Sequence, residues 1–237
     1  VPMNLRPSWE HPLGSDPMGR DLFTQLLHGT RLSMQIGIIA GSIAFVVSVL
    51  VAIIAGYYGG LVDSIFGVVT EVFITIPSLA ILILIAAIVP KVTVPIMSVI
   101  LAIFSWAWPA KVMRSQVLSL KERNFVKLAK LSGYGGIELT IREIVPNMLP
   151  FLGAYFAVVV SVAMLAEAGL EIIGLGPRQT ITLGIMLNWA MVHAAVTRGL
   201  IWWWLPPSVV LITIFLGLFI ISMGLDEIAN PRLKKQG

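Results

Sequence analysis

The stretch MQIGIIAGSIAFVVSVLVAIIAG, residues 34–56, contains no charged side chain. About 20 consecutive apolar residues suffice to cross the hydrocarbon core of a bilayer, so this run limits the possible folds more than any other feature. Four further runs read the same way, at 65–90, 93–110, 148–170 and 202–224. Backbone groups left unpaired in lipid are costly, so the spans are expected to be helices. Only 12% of the 237 residues are charged and 57% are hydrophobic, whereas a soluble domain carries about 25% charged residues. Too few polar side chains remain to cover a water-facing surface. The expected fold class is all-α, a polytopic membrane protein with five transmembrane helices in a single domain. The first run follows a long mixed segment, so it does not read as a cleavable signal peptide.

The basic residues set a topology. Seven of the 16 Lys and Arg fall between Lys111 and Arg142, and Arg232, Lys234 and Lys235 cluster at the C-terminus. The positive-inside rule puts both regions in the cytoplasm, and the two spans between them keep that assignment consistent. The turn at 57–64 is then inside and the N-terminal residues outside. The net charge of +4 is therefore a membrane topology signal rather than a nucleic-acid footprint. Three regions follow. Residues 1–33 form an outer-face segment with a short amphipathic helix at 20–31, which places Leu22, Phe23, Leu26 and Leu27 on one face. Residues 34–224 form the transmembrane domain, with a cytoplasmic loop at 111–147, and 225–237 form a cytoplasmic tail. The chain starts at Val1 rather than Met, and a sixth span ahead of it would suit that start.

The loop is the anomaly. In RNFVKLAKLS, residues 123–132, Phe125, Leu128, Ala129 and Ser132 recur with helical spacing, while Arg123, Lys127 and Lys130 take another face. Gly133-Tyr134-Gly135-Gly136 should stop this helix, because glycine readily adopts the left-handed conformation of helix ends. A second short helix has Ile137, Ile141, Ile144 and Val145 on one side and a Glu138–Arg142 pair one turn apart. Pro146 and Pro150 then mark the entry to the next span. Periodicity fits two readings equally: a helix pair lying on anionic lipid, or a docking element for a cytoplasmic partner.

The segment resembles the signature loop of ABC-transporter permeases, Glu-Ala-Ala, three residues, Gly, nine residues, Ile-x-Leu-Pro. Ala129 takes the third position, Gly133 the glycine, and Val145-Pro146 the closing pair. Lys127 stands in place of the Glu, Leu128 in place of an Ala and Glu143 in place of the Ile. HPLGSDPMGRDLFTQLLHGTRLSM (11–34), AEAGLEIIGLG (166–176), LGIMLNWA (183–190) with WWWLPP (202–207), and GLDEIANPRL (224–233) are similar, in order, to segments of the dipeptide/oligopeptide/nickel permeases. That resemblance implies six spans, the first preceding residue 1, and half of a pore completed by a second homologous permease. It also implies two ATP-binding subunits, which would hold ATP and Mg, and an extracytoplasmic solute-binding protein. This chain itself would carry no cofactor and catalyse nothing. Residues Phe125, Val126, Lys127, Leu128, Ala129, Lys130, Leu131, Ser132, Gly133 and Tyr134 would form the coupling helix and elbow that meet an ATPase. Peptides are the implied solute, with oligosaccharides or nickel as alternatives.

Few other residues can carry chemistry. Glu71, Glu167 and Glu171 sit in or beside spans, where a charge near the bilayer centre costs about 2.5–3.5 kcal/mol and must face protein or water. Glu71 is a translocation-path candidate against a contact between helices. Glu167 and Glu171, one turn apart, are placed near the outer end of the fourth span, close to water, with packing or gating favoured for Glu167. Asn188, in the outer 171–201 stretch with His193 and Arg198, is a path-mouth candidate. Trp202, Trp203 and Trp204 read as an interfacial aromatic belt. Gly37 and Gly41 form a GxxxG that would let another helix approach closely. His11, His28 and His193 lack ligand spacing, so no metal site is expected. With no GxxxxGK[ST] loop, ATP is not bound here in that manner. An ion-driven secondary transporter is the alternative class; it needs a buried relay near a broken helix, and Glu71, Thr75 and Pro77 are the only candidates. A membrane enzyme would need a nucleophile–base cluster, which the sequence lacks.

Overall fold

The computed structural model describes residues 2–89, 92–177 and 180–229. The tail cations Arg232, Lys234 and Lys235, and Pro90 at the end of the expected second span, lie outside the described residues. Among those residues the regular structure is helical, with one isolated bridge between Ser15 and Asp21. The helices are α1 (Leu22–Tyr58), α2 (Gly60–Thr75), α3 (Ser78–Ile88), α4 (Val94–Ser105), α5 (Ala107–Lys121), α6 (Asn124–Leu131), α7 (Gly136–Leu139), α8 (Val145–Ile172), α9 (Leu183–Val192) and α10 (Ile201–Ala229). A π-helical turn, Thr140–Ile144, joins α7 to α8, and Gly136–Ile172 is one continuous helical run.

Among the described residues, three helices are long and apolar enough to cross a membrane: Leu22–Tyr58, Gly136–Ile172 and Ile201–Glu227. The other two expected spans are broken. α4 and α5 are interrupted at Trp106 and together could serve as a fourth crossing. The run at 65–90 divides into α2 and α3, because Ile76 is extended (φ −71°, ψ 127°) ahead of Pro77, as a residue preceding proline tends to be. The short outer helix expected at 20–31 is not separate: α1 runs unbroken from Leu22, about 55 Å long at 1.5 Å per residue. Asp21 starts it by accepting the Thr24 N–H at 2.8 Å, a capping contact that satisfies one of the free donors of the first turn.

The chain folds into two compact units, each built from separated segments. The first comprises Val1–Ala40, Leu79–Leu101 and Ser161–Gly217. Its core holds Leu22, Met186, Ala190, Ala195 and Trp203. Gly37 permits α1 to meet α8, since a Cβ there would fall 2.0 Å from Met164 Cγ. The N-terminal segment is fixed by buried Asp16, which accepts from the Met18 and Arg20 N–H groups at 2.9 Å and from Arg20 Nε at 2.7 Å. Arg20 also lies over the Trp189 ring, 3.9 Å from its centroid.

The second unit comprises Gly41–Ser78, Ala102–Val160 and Leu218–Gly237. Met113, Val117, Val126, Leu139, Ile144 and Met148 form its core with Ala52. Ser48 Oγ lies 2.7 Å from the Trp106 carbonyl and 2.6 Å from that of Ala44, so the helix break at Trp106 keeps a donor. At Gly41 a Cβ would stand 2.8 Å from Val160 Cα. Both glycines of the GxxxG are thus taken up by α8 of the same chain.

Candidate functional site

α5 leads through a short turn into α6. Val126 is buried, and Phe125 and Ala129 pack beside it against the core that α5 supplies. Leu128 and Leu131 point outward, 63% and 85% exposed. The buried face is therefore Phe125-Val126-Ala129, and the apolar row Phe125, Leu128, Ala129 and Ser132 read from the sequence is divided between core and surface. Spacing tells which residues share a side of a helix; the docking of Val126 on α5 decides which side is covered. Ser132, exposed, donates its hydroxyl to the Leu128 carbonyl at 3.0 Å.

Gly133 ends α6 in the left-handed region, at φ +91°. The Tyr134 N–H reaches the Ala129 carbonyl at 3.2 Å and the Gly133 N–H reaches that of Lys130 at 3.1 Å, closing the helix with a glycine in the position where a Cβ is disfavoured. The chain then enters α7 and the π turn. Leu139 and Ile144, five residues apart, are both buried, as the wider turn allows. Ile137 and Ile141 are exposed, so the expected row of Ile137, Ile141, Ile144 and Val145 is split by the added residue of that turn. Glu138 and Arg142 pair at 3.3 Å, and Lys127 pairs with Glu122 at 3.2 Å. The segment thus presents Leu128, Leu131, Ile137 and Ile141, edged by cations.

Also in the second unit, α2 and α5 are joined by two ion pairs. Arg114 grips both carboxylate oxygens of Asp63 through Nε and Nη2. Asp63 precedes the apolar run, and the Arg114 hydrogen bonds hold its carboxyl below the usual carboxylate range. Lys111 Nζ meets Glu71 Oε1 at 2.5 Å, with side chains 48% and 59% exposed. Asp63, Glu71 and Arg114 line an open groove of about 740 Å³ along α2, and Lys111 reaches its edge through Glu71. The sequence flagged Glu71 but not its partner, although Lys111 and Arg114 three residues apart on a helix were a usable signal.

The first unit treats its acids differently. Glu167 and Glu171 are both fully buried, not close to water as expected, because α9 and the chain leading into it cover them. Ser33 Oγ donates to Glu167 Oε1 at 3.0 Å and accepts from the Leu183 N–H at 3.1 Å. Thr182 Oγ1 donates to Glu171 Oε2 at 2.5 Å and caps α9 by accepting from the Ile185 N–H at 3.3 Å. Gly176 and Gly184 make room: added Cβ atoms would lie 2.7 Å from Glu171 Cγ and 2.6 Å from Glu171 Oε2. Asn188 donates to the Ile172 carbonyl at 2.8 Å, bracing the chain where it leaves α8. Trp203 is buried against the His193 ring, centroids 5.5 Å apart, so it is core rather than part of an exposed belt. Trp202 and Trp204 are half-buried.

Long apolar helices broken at Trp106 and Ile76-Pro77, with ion pairs bordering a groove and a basic loop around α6, define a helical, polytopic membrane protein. The chain belongs to the binding-protein-dependent transport system inner membrane component family, whose model matches residues 48–235; it is a permease subunit of an ABC importer. It is 31% identical to the oligopeptide transport system permease protein OppC of Lactococcus lactis subsp. lactis, over 94% of this chain and 76% of that protein. It is 30% identical to the dipeptide transport system permease protein DppC of Bacillus subtilis, over 98% of this chain and 72% of that one. A chain of the MetNI methionine ABC transporter superposes with a TM-score of 0.69 at 15% identity, covering 92% of this chain and 98% of that chain. That likeness is one of fold.

Proposed function

We propose that this chain forms half of the pore of an ATP-driven importer of peptides, completed by a second homologous permease. Two ATP-binding subunits carry ATP and Mg, and one of them docks against the 111–147 loop, which faces the cytoplasm with the 225–237 tail. A solute-binding protein delivers peptide to the opposite face, on the side of residues 1–33. The solute class rests on the similarity to permeases named for oligopeptides and dipeptides. The observation that carries the coupling role is the outward display of Leu128 and Leu131 on a helix whose other face is anchored in the core. An apolar ridge of this kind fits a groove in a partner, in the manner of helix-in-groove recognition. Residues 125–134 are the contact, with Gly133 as the elbow. ATP-driven closure moves α5 and α8, which flank the loop, as near-rigid levers. Of the three path candidates, Glu71 faces the groove, whereas Glu167 and Asn188 act as braces.

Gly133→Val tests the coupling role. A Cβ at Gly133 meets no atom within 4 Å, so the cost is backbone strain of about 1–2 kcal/mol, local to the elbow. In the reconstituted complex the variant is expected to hydrolyse ATP without peptide uptake and to remain folded. Unchanged coupled uptake would remove the mechanism. Native mass spectrometry of the complex purified from its own host gives the composition; recovery without a nucleotide-binding partner would overturn it.

A further inference from the structure

The groove between α2 and α5 is unusual for its two exposed charges. Asp63, Gly67 and Glu71 are spaced four residues apart and form one stripe on α2; Lys111 and Arg114 face them from α5. The two pairs differ in kind. Asp63–Arg114 is a two-pronged contact with side chains 22% and 33% exposed, a fixed brace. Glu71–Lys111 is a single contact between flexible side chains, about half exposed. Nearby Val68 and Val72 are exposed too, so these charges lie on an apolar face. Turned to lipid, both would be costly, so the face adjoins water or protein. At Gly67 a Cβ would meet nothing within 4 Å, which leaves the groove open between the pairs. Its volume, about 740 Å³, falls in the range of roughly 300–1,000 Å³ typical of small-ligand sites.

Resting on the peptide-importer reading above, we propose that the Glu71–Lys111 pair reads the two ends of a zwitterionic peptide: Glu71 takes its α-ammonium and Lys111 its α-carboxylate. A peptide's termini are the same two groups that already face each other in the pair. Binding therefore exchanges one ammonium–carboxylate contact for two, and neither protein charge is left alone. A site carrying one sign of charge would retain net cations or net anions; this one suits a molecule with both charges and no net charge. Arg114 remains engaged by Asp63 and keeps the groove wall in place while Lys111 swings away. Thr75, on the next turn of α2, donates its hydroxyl to the Glu71 carbonyl at 2.7 Å and fixes the backbone of the acid.

The test is uptake of alanyl-alanine, whose ends lie close enough for two neighbouring side chains to reach, its N-acetyl form and its C-terminal amide by the full complex in proteoliposomes. One binding protein is used throughout, so its own preferences cancel between permease variants. In the unaltered complex the free peptide should be carried faster than either blocked form. Glu71→Gln should shrink the preference over the N-acetyl form by about tenfold, the worth of one charge-assisted hydrogen bond, and leave the preference over the amide unchanged. Lys111→Gln should do the reverse. Equal losses for all three peptides in both variants, or no change in either, would overturn the proposal and leave the pair as a structural tie. If a single variant fails to assemble, Glu71→Gln/Lys111→Gln removes both charges together. Both preferences should then collapse, and preserved preferences count against the proposal. An unaltered complex that carries none of the three peptides overturns the peptide reading itself, a result distinct from equal losses in the variants.

Discussion

Glu167 and Glu171 in the first unit and Asp63 and Glu71 in the second all sit in helices, and the two units handle them in opposite ways. In the first, Glu167 and Glu171 are fully buried with hydroxyl partners from Ser33 and Thr182 and no salt bridge among the described residues. In the second, Asp63 and Glu71 each hold a base and border an open groove. A fully buried acid held by hydroxyls has no solvent at hand to replace a lost partner, so it fixes the chain around it. A wetted acid held by a long, flexible base can exchange partners at small cost. The difference separates a fixed part of the scaffold from a part whose ion pairs can rearrange.

The sharpest way to break that distinction is Gly184→Val. The new Cβ would fall 2.6 Å from Glu171 Oε2 and 3.0 Å from the Ala168 Cα, and the latter is backbone that cannot swing aside. Overpacking of this kind costs about 3 kcal/mol, and a sharply lower unfolding temperature in detergent is expected. A variant as stable as the parent would mean that the acid pocket is loosely held. Thr182→Val is the next largest. It removes both the α9 cap and a donor to Glu171, a loss of about 2 kcal/mol measured the same way. An unaffected melting curve would show that Thr182 does not hold the pocket.

The smallest effect is expected in the groove, from pH. The Asp63 carboxyl is held below its ordinary value by the Arg114 hydrogen bonds. The pair's stabilisation is thus fully present above the ordinary carboxylate range near pH 4 and is lost as pH falls through the lower folded-state value. For a partly exposed pair this is under about 1 kcal/mol. A small acid-side loss of stability should be present in the parent and absent in Asp63→Asn; the same loss in both would assign it to another group.

Much of the molecule could be read before folding. The apolar runs required membrane-crossing helices, since a backbone in lipid has no other means of satisfying its polar groups. The glycine at 133 marked the end of α6, and the structure places it at φ +91°.

What the sequence could not decide was direction and partnership. Helical spacing put Phe125, Leu128 and Ala129 on one side, but only packing on α5 turned Val126 inward and left Leu128 and Leu131 outside. An acid in an apolar helix signalled a need for a partner without naming it: Glu71 found Lys111 forty residues away, and Glu167 found Ser33 across 134 residues. Likewise Trp203 became core where its neighbours are only half-buried. Local order follows from backbone hydrogen bonding and side-chain shape within a few residues, which sequence states directly. Which face is buried, and by what, depends on contacts between distant segments, and only the tertiary structure supplies those.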